Sequence, residues 1–384
     1  MRVAIHCPYS LSRPGGVQGQ VLALARTLRA RDHHAVVLAP GDEEAAALAA
    51  SVGLDEEALV VLGRSVSLPA NGSVAPVALW PGAAARAVRA VRNGAFDVVH
   101  LHEPLAPGPG YALLGLCREA KVGTFHRAGG SAAYRWLGPL ARRAAARLAV
   151  RCAVSAEARA TAHDALGGSY ELVANAVETE RFAGAEPWAP GDAAGPIVMF
   201  VGRHEERKGL GVLLEAFERV APSASGGPTL WVAGRGPETD ELRRRFGSSR
   251  RVVWLGAVPD AELASRLRRA DVLCAPSLRG ESFGVVLLEA MAARTAIVAS
   301  ALPGYEAVAG DDATLVAPGD AGALAEALGR AVSDAEQGTG TSSPAALDEA
   351  AARAGRWSTA AQADRYLCIY EHAVRKTTPS RSRS

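Results

Sequence analysis

Short apolar runs rich in Val, Ile and Ala alternate along the chain with longer runs in which Ala, Leu and Arg recur at helical spacing. The short runs predict buried strands, and the longer runs predict amphipathic helices. Strands that alternate with helices form parallel sheets joined by right-handed crossovers. The pattern predicts helices over 17–30 and 211–220, and strands over 3–7, 35–38, 97–102, 122–125, 196–202, 229–233, 252–255, 272–275 and 296–299.

The strand–helix pattern begins a second time after residue 190. A chain of 384 residues is also longer than one typical hydrophobic core supports. We therefore predict an α/β protein with two Rossmann-like, doubly wound parallel-sheet domains and a cleft between them. The first domain is predicted over 1–185 and the second over 186–360, with a linker at 184–195 and a loose polar loop at 333–345.

Composition and charge exclude several classes of protein. The 42 basic and 40 acidic residues give a net charge of +2, so the bulk charge does not indicate a nucleic-acid partner. The five cysteines are scattered without Cys-x-x-Cys spacing, which argues against a zinc site or a disulfide framework and favours a reducing cytoplasm. No run of about 18 apolar residues occurs, and the N-terminus predicts a strand instead of a signal peptide. The sequence therefore predicts a cytoplasmic protein without a membrane span, and it favours no particular oligomeric state.

Four predicted loops follow strands, at the carboxyl edges of the sheets where ligands bind in such folds. After the first strand, Gly15-Gly16 precedes a helix whose N-terminal N–H groups suit an anion. His126 directly follows another strand, and in the second domain Arg203 and Lys208 lie beside Gly209, which suits a diphosphate. Taken singly, these segments also fit an ordinary turn, a structural histidine and a solvated charge run.

The fourth loop carries two glutamates eight residues apart. Glu281 lies on a small-residue loop, and Glu289 lies within an apolar run that predicts a helix. The loop N–H groups and the helix N-terminus suit an anion, whereas the carboxylates suit a polyol. A nucleotide-sugar has both parts. Because the sequence contains no Asp-x-Asp, we expect Arg203, Lys208 and helix N-termini to neutralise the diphosphate without a metal ion.

Together these residues resemble the retaining, two-domain GT-B glycosyltransferases of family four, whose hallmark is a Glu-x7-Glu motif. The resemblance covers nearly the whole chain, and it is closest to the actinobacterial phosphatidylinositol mannosyltransferases. The segments that carry this finer resemblance are Cys7-Pro8-Tyr9-Ser10, Pro14-Gly15-Gly16-Val17-Gln18, Asn71-Gly72-Ser73-Val74-Ala75, His102-Glu103-Pro104 and Gly280-Glu281-Ser282-Phe283-Gly284.

The resemblance implies a role for each matching residue on the donor side. Arg203 and Lys208 would bind the donor diphosphate and steady it as it leaves, and Gly16 would offer its N–H to the same phosphate. Glu281 would contact hydroxyls of the sugar and Glu289 the ribose. His126 would lie beneath the sugar, near the anomeric carbon. The implied catalytic set is His126, Arg203, Lys208 and Glu281, and the donor site also includes Val258, Ser282, Phe283 and Gly284.

On the acceptor side, the resemblance places Tyr9, Gln18 and Asn71 around an inositol group, and Arg127 is a further candidate. The acceptor hydroxyl would attack from the face that the diphosphate leaves, with the departing phosphate as base and no protein nucleophile. The first domain would then take the acceptor and face the membrane, and the second would bind the nucleotide-sugar. Residues 361–384 would form a helix that returns to the first domain, followed by a disordered basic tail.

A basic segment with aromatic residues predicts a membrane contact. Over residues 131–154, Tyr134 and Trp136 alternate with arginines, and we predict an interfacial helix from Arg135 to Arg151 that lies on anionic lipid. The alternative is an Ala/Arg helix that packs on its own domain. The resemblance favours the first interpretation and places the protein on the inner face of the cell membrane as a peripheral protein.

Four positions depart from the pattern of the family. Ala176 and Arg294 stand where relatives have glycine, and Arg294 would carry strain if its turn requires a positive φ. Pro76 stands where relatives have an arginine that meets a lipid phosphate, and Arg127 replaces a small hydroxylated residue. The donor half of the pattern is therefore kept, and the acceptor half is altered.

Three hypotheses follow. The first is a metal-independent mannosyltransferase that uses GDP-mannose and phosphatidylinositol at the inner membrane face. The second is a related family-four glycosyltransferase with another nucleotide-sugar donor or a soluble acceptor. The third is an inactive nucleotide-sugar-binding protein, which the intact charged residues disfavour.

Overall fold

The computed structural model describes residues 1–13, 15–70, 73–127, 138–189, 195–221, 227–281 and 283–377. The chain divides into two compact units. Unit 1 comprises Met1–Ala176 and the chain from Thr359 onward, and unit 2 comprises Val177–Ser358. Among the described residues, no helix is both long and apolar enough to cross a membrane.

The described part of unit 1 contains a seven-stranded parallel sheet and a separate antiparallel hairpin. The sheet has the order β3-β2-β1-β6-β7-β8-β9, and β4 and β5 form the hairpin. The strands are β1 Arg2–His6, β2 His34–Ala39, β3 Leu59–Val61, β4 Val66–Ala70, β5 Ser73–Val77, β6 Val98–His102, β7 Ala120–Phe125, β8 Val150–Ala153 and β9 Glu171–Leu172. The helices are α1 Gly16–Arg29, α2 Glu43–Ser51, α3 Pro81–Gly94, α4 Pro109–Leu116, α5 Gly138–Ala145, α6 Ala156–Leu166 and the C-terminal α15 Thr359–Thr377.

The sheet of unit 1 is covered on both faces, as its continuous apolar strands require. Ile5 and Val37 belong to one core, which α15 completes with Tyr366 and Tyr370. Ala4, Leu38, Leu101 and Phe125 belong to a second core on the other face. Burial on both faces explains why these strands lack the alternation of a half-exposed sheet.

The described part of unit 2 repeats this plan with a six-stranded parallel sheet of order β12-β11-β10-β13-β14-β15. The strands are β10 Ile197–Val201, β11 Thr229–Ala233, β12 Val252–Gly256, β13 Val272–Ala275, β14 Ala296–Ser300 and β15 Thr314–Val316. The helices are α7 Thr179–Ala183, α8 Leu210–Arg219, α9 Thr239–Phe246, α10 Asp260–Arg269, α11 Val285–Ala292, α12 Pro303–Ala309, α13 Ala321–Gln337 and α14 Pro344–Gly355.

The predicted fold class of two doubly wound, parallel-sheet domains is confirmed. The predicted strands and the two helices are found within one or two residues of their expected bounds. The loose loop predicted at 333–345 is wrong, because α13 continues to Gln337 and α14 begins at Pro344. The β4–β5 hairpin was not predicted.

The strand order identifies where each sheet binds ligands. In a doubly wound sheet the ligand site lies at the carboxyl ends of the two central strands, where the order of the strands reverses. This point falls between β1 and β6 in unit 1 and between β10 and β13 in unit 2. At these ends, the loop after β1 carries Tyr9 and Gly16, the loop after β10 carries Arg203 and Lys208, and the loop after β13 carries Glu281. His126 follows the neighbouring strand β7.

Candidate active site

Gly16 opens α1 at the carboxyl end of β1. The preceding Gly15 forms no side-chain cap, and the first turn of the helix contains no acidic residue. A Cβ placed on Gly16 would meet nothing within 4 Å, so the space in front of this turn is open. The first N–H groups of α1 therefore suit an anion, and contact of Gly16 with a donor phosphate stays a prediction.

Two acceptor-side candidates shape the β1–α1 loop. Gln18 is buried, and its Nε2 donates to the carbonyls of Ser10 at 3.2 Å and Arg13 at 3.1 Å. Tyr9 forms an antiparallel bridge with Val77 of β5. The structure therefore shows Gln18 bracing the loop, and contact of Gln18 with an acceptor stays a prediction.

Pro76 belongs to the same arrangement. It is buried in β5, and its carbonyl accepts from the backbone N–H of Ser10 at 2.8 Å. Pro76, which stands where an arginine was expected, thus links the β1–α1 loop to the hairpin. Asn71 lies outside the described residues.

His126 leaves the end of β7 in a fixed position. Its backbone N–H donates to Glu103 Oε1 at 2.6 Å, and its Nε2 lies 2.8 Å from Nδ1 of His102. Burial lowers the pKa of His126 to about 4, so the ring is neutral at pH 7.

Arg127 lies near the candidate acceptor residue Tyr9. Burial raises the pKa of Tyr9 above its usual range; the Glu103 carboxylate adds to the rise, and the Arg127 guanidinium opposes it. Tyr9 therefore lies within electrostatic range of both Glu103 and Arg127. Glu103 was not predicted as a site residue, although it belongs to the His102-Glu103-Pro104 segment that resembles the family.

In unit 2, the β10–α8 loop carries the predicted cations. Arg203 Nη2 lies 2.8 Å from Glu205 Oε1, and Arg207 Nε lies 3.0 Å from Glu205 Oε2. Glu205 is nearly buried, so its two oxygens hold both guanidinium groups in place. Glu205 and Arg207 were not predicted as site residues, because a charge run in a sequence does not reveal which of its members point inward.

The carboxylate of Glu281 accepts hydrogen bonds from several members of this cluster. Its Oε1 accepts from Lys208 Nζ at 2.6 Å, from Arg207 Nη1 at 3.1 Å and from Ser277 Oγ at 3.2 Å. The structure therefore brings Lys208 and Glu281 together and places Arg203 with Glu205 instead. Ser277 also contacts the Tyr305 hydroxyl at 3.0 Å.

Two glycines allow the loops of unit 2 to approach each other. Gly209 has φ 70°, and a Cβ there would lie 2.0 Å from the carbonyl oxygen of Pro276. Gly284 has φ 92°, and a Cβ there would lie 2.6 Å from the ring of Tyr305. Both residues precede helices, α8 and α11, that lack a side-chain cap and an acidic first turn. Both helices thus begin with N–H groups that suit an anion.

Glu289 lies within the predicted helix, in the middle of α11. Burial raises its pKa to about 7; Arg181 opposes this rise, and Asp260 and Glu178 add to it. The carboxyl group therefore changes charge near neutral pH.

The remaining donor candidates differ in what the structure shows. Val258 is half-buried in the turn between β12 and α10. Phe283 is buried, with its ring centroid 6.3 Å from that of Trp357 in an edge-on contact. This packing is a structural role, and contact of Phe283 with a donor stays a prediction. Ser282 lies outside the described residues.

Comparisons with known proteins decide the family. Residues 14–181 match the model "Glycosyltransferase Family 4", and residues 195–334 match "Glycosyl transferases group 1". The phosphatidyl-myo-inositol mannosyltransferase of Mycobacterium leprae is 39% identical over 332 residues, which cover 85% of this chain and 86% of that protein. The chain belongs to glycosyltransferase family 4. The predicted family and the predicted class of activity are confirmed.

A second relative and two solved structures complete the comparison. The D-inositol 3-phosphate glycosyltransferase of Corynebacterium urealyticum is 38% identical over 152 residues, 37% of this chain and 36% of that protein. The crystal structure of Anabaena HepE with UDP and glucose has a TM-score of 0.76 at 18% identity, covering 97% of this chain and 99% of that one. For WaaG, a glycosyltransferase involved in lipopolysaccharide biosynthesis, the TM-score is 0.65 at 18% identity, covering 96% and 99%. At these identities the structures show the fold alone, which is GT-B.

The prediction that one helix extends from Arg135 to Arg151 in this family-4 enzyme is wrong. The described helix α5 ends at Ala145, and Arg151 lies in β8; residues 128–137 are outside the described part. Arg142, Arg147 and Arg151 donate to the carbonyls of Ala165, Leu114 and Gly167 at 3.2, 3.3 and 2.7 Å. These three arginines bind their own unit, as the alternative interpretation expected.

The departures from glycine have different outcomes. Arg294 adopts φ 59°, so its turn does require the left-handed conformation. Ala176 has no positive φ, and its N–H and carbonyl bond the Gln20 side chain, each at 2.7 Å. Of these two departures, only Arg294 adopts the left-handed conformation, and its guanidinium pairs with Asp348.

Proposed function

We propose that the protein transfers mannose from GDP-mannose to an inositol lipid such as phosphatidylinositol, as a peripheral protein at the cytoplasmic membrane face. The observation that carries this proposal is the 39% identity to a phosphatidyl-myo-inositol mannosyltransferase over 85% of the chain. A match of 332 residues extends over parts of both units.

The charge cluster of unit 2 supports a nucleotide-sugar donor. Arg203, Arg207 and Lys208 face two carboxylates, Glu205 and Glu281, which leaves one positive charge in excess. The uncapped N-terminus of α8 adds a partial positive charge beside them. This arrangement can take up a diphosphate while Glu281 accepts hydrogen bonds from sugar hydroxyls.

We propose that transfer retains the anomeric configuration and needs no metal ion. The acceptor hydroxyl would attack the anomeric carbon from the face that the diphosphate leaves. Its proton would pass to the departing phosphate, and the phosphate charge would be stabilised by Arg203, Lys208 and the helix N-termini. His126, neutral at pH 7, would contact the sugar without taking the proton.

The test is a transfer assay with radiolabelled GDP-mannose and vesicles that contain phosphatidylinositol, with and without EDTA. We expect a mannosylated lipid in both conditions, with an α linkage in its NMR spectrum. UDP-glucose serves as the matched donor control and should give little product. Loss of transfer on chelation, or a β linkage, would contradict the proposed mechanism.

A second candidate has support from the D-inositol 3-phosphate glycosyltransferase, which is 38% identical over 37% of the chain. In this alternative the acceptor is a soluble inositol phosphate. Offering this acceptor beside the lipid vesicles distinguishes the two candidates, because only one of them should be glycosylated efficiently. If the protein bound nucleotide but neither hydrolysed nor transferred the donor sugar, the hypothesis of an inactive nucleotide-sugar-binding protein would be favoured.

A further inference from the structure

Three histidine rings lie in a row near the carboxyl ends of β6 and β7. The ring centroids of His100 and His102 lie 4.3 Å apart, and those of His102 and His126 lie 5.0 Å apart. Burial lowers the pKa of His100 to about 3 and that of His126 to about 4, and it holds the pKa of His102 well below its usual range. All three rings are therefore neutral at pH 7, and each carries one proton on one of its two nitrogens.

The contact between His102 Nδ1 and His126 Nε2, at 2.8 Å, requires a donor on one side. If His126 donated, His102 would carry its proton on Nε2. That nitrogen is buried and has no hydrogen-bond partner among the described residues. A buried N–H without a partner is rarer and more costly than a buried acceptor without one. The proton of His102 therefore lies on Nδ1, and His102 donates to His126.

We propose that His102 is a positioning residue that holds His126 in the Nδ1–H tautomer, so that His126 presents a hydrogen-bond donor to the sugar instead of a base. With Nε2 occupied by His102, His126 has no lone pair free for a substrate proton. The proposal rests on the proposed function only in placing His126 at the donor sugar.

The other neighbour of His126 fits this tautomer. The Asn175 side chain lies within reach of the ring and opposes the fall in the pKa of His126, as an acceptor oxygen does. Asn175 Oδ1 is buried and accepts no hydrogen bond from the described part of the chain. A free acceptor beside the ring suits a His126 that carries its proton on Nδ1.

Several contacts prevent His102 from turning away. Its ring lies between His100 and His126, and it is 2% exposed. His100 is held in turn by the Tyr370 hydroxyl at 2.8 Å and by Thr124 Oγ1 at 2.7 Å. The C-terminal helix α15, which supplies Tyr370, thus helps to fix the position of His100.

The first measurement is the NMR spectrum of protein labelled with 15N in its histidines. The chemical shifts distinguish a nitrogen that carries a proton from one that does not. We expect a protonated Nδ1 and an unprotonated Nε2 for His126 in the wild-type protein. A protonated Nε2 on His126 would overturn the proposal, whatever the activity of the protein.

The second measurement compares two variants of equal size. Asn can place an amide N–H near the position of Nδ1, whereas Leu removes the donor. We expect His102→Leu to reduce kcat about tenfold or more with little change in the KM for donor. His102→Asn should restore most of kcat and keep the Nδ1–H signal of His126. Equal losses in the two variants would show a packing effect and overturn the proposal.

His6→Leu is the control for removing a buried histidine. His6 is buried in the same unit, and its ring makes no hydrogen bond with the described residues. We expect the His126 spectrum and the transfer rate to stay unchanged; a loss equal to that of His102→Leu would contradict the proposal. If the wild-type protein transfers no sugar, the proposed function fails, while the NMR spectrum still decides the role of His102.

Discussion

Lys208 and Glu281 form an ion pair at 2.6 Å, although the resemblance assigns them to different parts of the donor. Arg207 binds the same carboxylate at 3.1 Å and also reaches Glu205. A diphosphate can therefore bind here only by sharing Lys208 with Glu281 or by drawing it away. If the cluster binds the donor as proposed, the affinity for a diphosphate should depend on this competition.

Lys208→Met should weaken the binding of GDP by about tenfold or more, because it removes a charge from the diphosphate site and leaves Glu281 in place. Arg279→Met is the matched control, because Arg279 lies in the same region, is 63% exposed and pairs only at 3.3 Å with Glu206. Calorimetric titration with GDP measures both. Equal losses would indicate a long-range effect of charge instead of a specific contact.

Glu289 should give nucleotide binding a dependence on pH. Its pKa of about 7 leaves most of the carboxyl group protonated at pH 6 and ionised at pH 8. If the ionised form accepts hydrogen bonds from the ribose, the affinity for GDP should fall by up to about tenfold from pH 8 to pH 6. Glu289→Gln should bind more weakly at pH 8 and lose this dependence, and calorimetry at both pH values is the measurement.

Arg294 tests the cost of a left-handed backbone. Arg294→Gly removes both the strain of φ 59° and the ion pair with Asp348, whereas Arg294→Ala removes only the ion pair. The glycine variant should therefore be more stable than the alanine variant by about 1 kcal/mol, since non-glycine residues pay this much in the left-handed region. Urea denaturation compares the two. Equal stability would show that the turn tolerates a side chain.

At the scale of elements, the strands were predictable because they are buried on both faces and read as continuous apolar runs. The β4–β5 hairpin was missed although Asn71-Gly72, a strong hairpin signal, separates its strands in the sequence. The 333–345 loop was wrong because polar composition was taken for irregular structure. In the structure, Ser343 caps α14 by accepting from the N–H of Ala346.

Helix α5 retains a surface that suits a membrane. Leu140 is 68% exposed, and Arg143 is exposed and makes no ion pair or hydrogen bond with the described residues. The two residues are three apart, so they share one face of the helix. The double variant Leu140→Ser, Arg143→Ser should bind anionic vesicles less tightly in flotation assays, with unchanged thermal stability.

Arg142→Ser is the control for the membrane test. Arg142 donates to the Ala165 carbonyl, so its loss should reduce stability more than lipid binding. Release of the wild-type protein at high salt is also expected, because surface charges are screened. Equal flotation with neutral and anionic vesicles would contradict an electrostatic contribution.

At the scale of the whole molecule, the buried histidines make the two units respond differently to acid. In unit 1, burial lowers the pKa values of His6, His100, His102 and His126. In unit 2, burial lowers the pKa of His204 to about 4 but raises that of Glu289 to about 7. As the pH falls, histidines of the unfolded chain become protonated near pH 6.5, whereas the buried ones of the folded chain stay neutral until about pH 4. Their contribution to the free energy of unfolding is therefore complete above pH 6.5 and is lost as the pH falls toward 4.

Unit 1 should therefore lose more stability than unit 2 between pH 7 and pH 5. Each buried histidine contributes a slope of up to about 1.4 kcal/mol per pH unit, whereas Glu289 acts in the opposite direction to His204. Hydrogen exchange followed by mass spectrometry at both pH values, corrected for intrinsic exchange rates, measures each unit separately. Greater loss of protection in unit 2 would contradict this assignment.

The sequence by itself determined the class of fold, the main strands and the loops that carry the candidate chemistry. These features depend on local periodicity, and every parallel strand places the following loop at the same edge of its sheet. Only the tertiary structure decided which side chains meet. Lys208 and Glu281 are 73 residues apart, and His102 and His126 are 24 apart. Such contacts depend on the register of neighbouring strands and on burial, which no local sequence pattern encodes. The neutral state of His126 also follows from burial, so it could be inferred only from the folded chain.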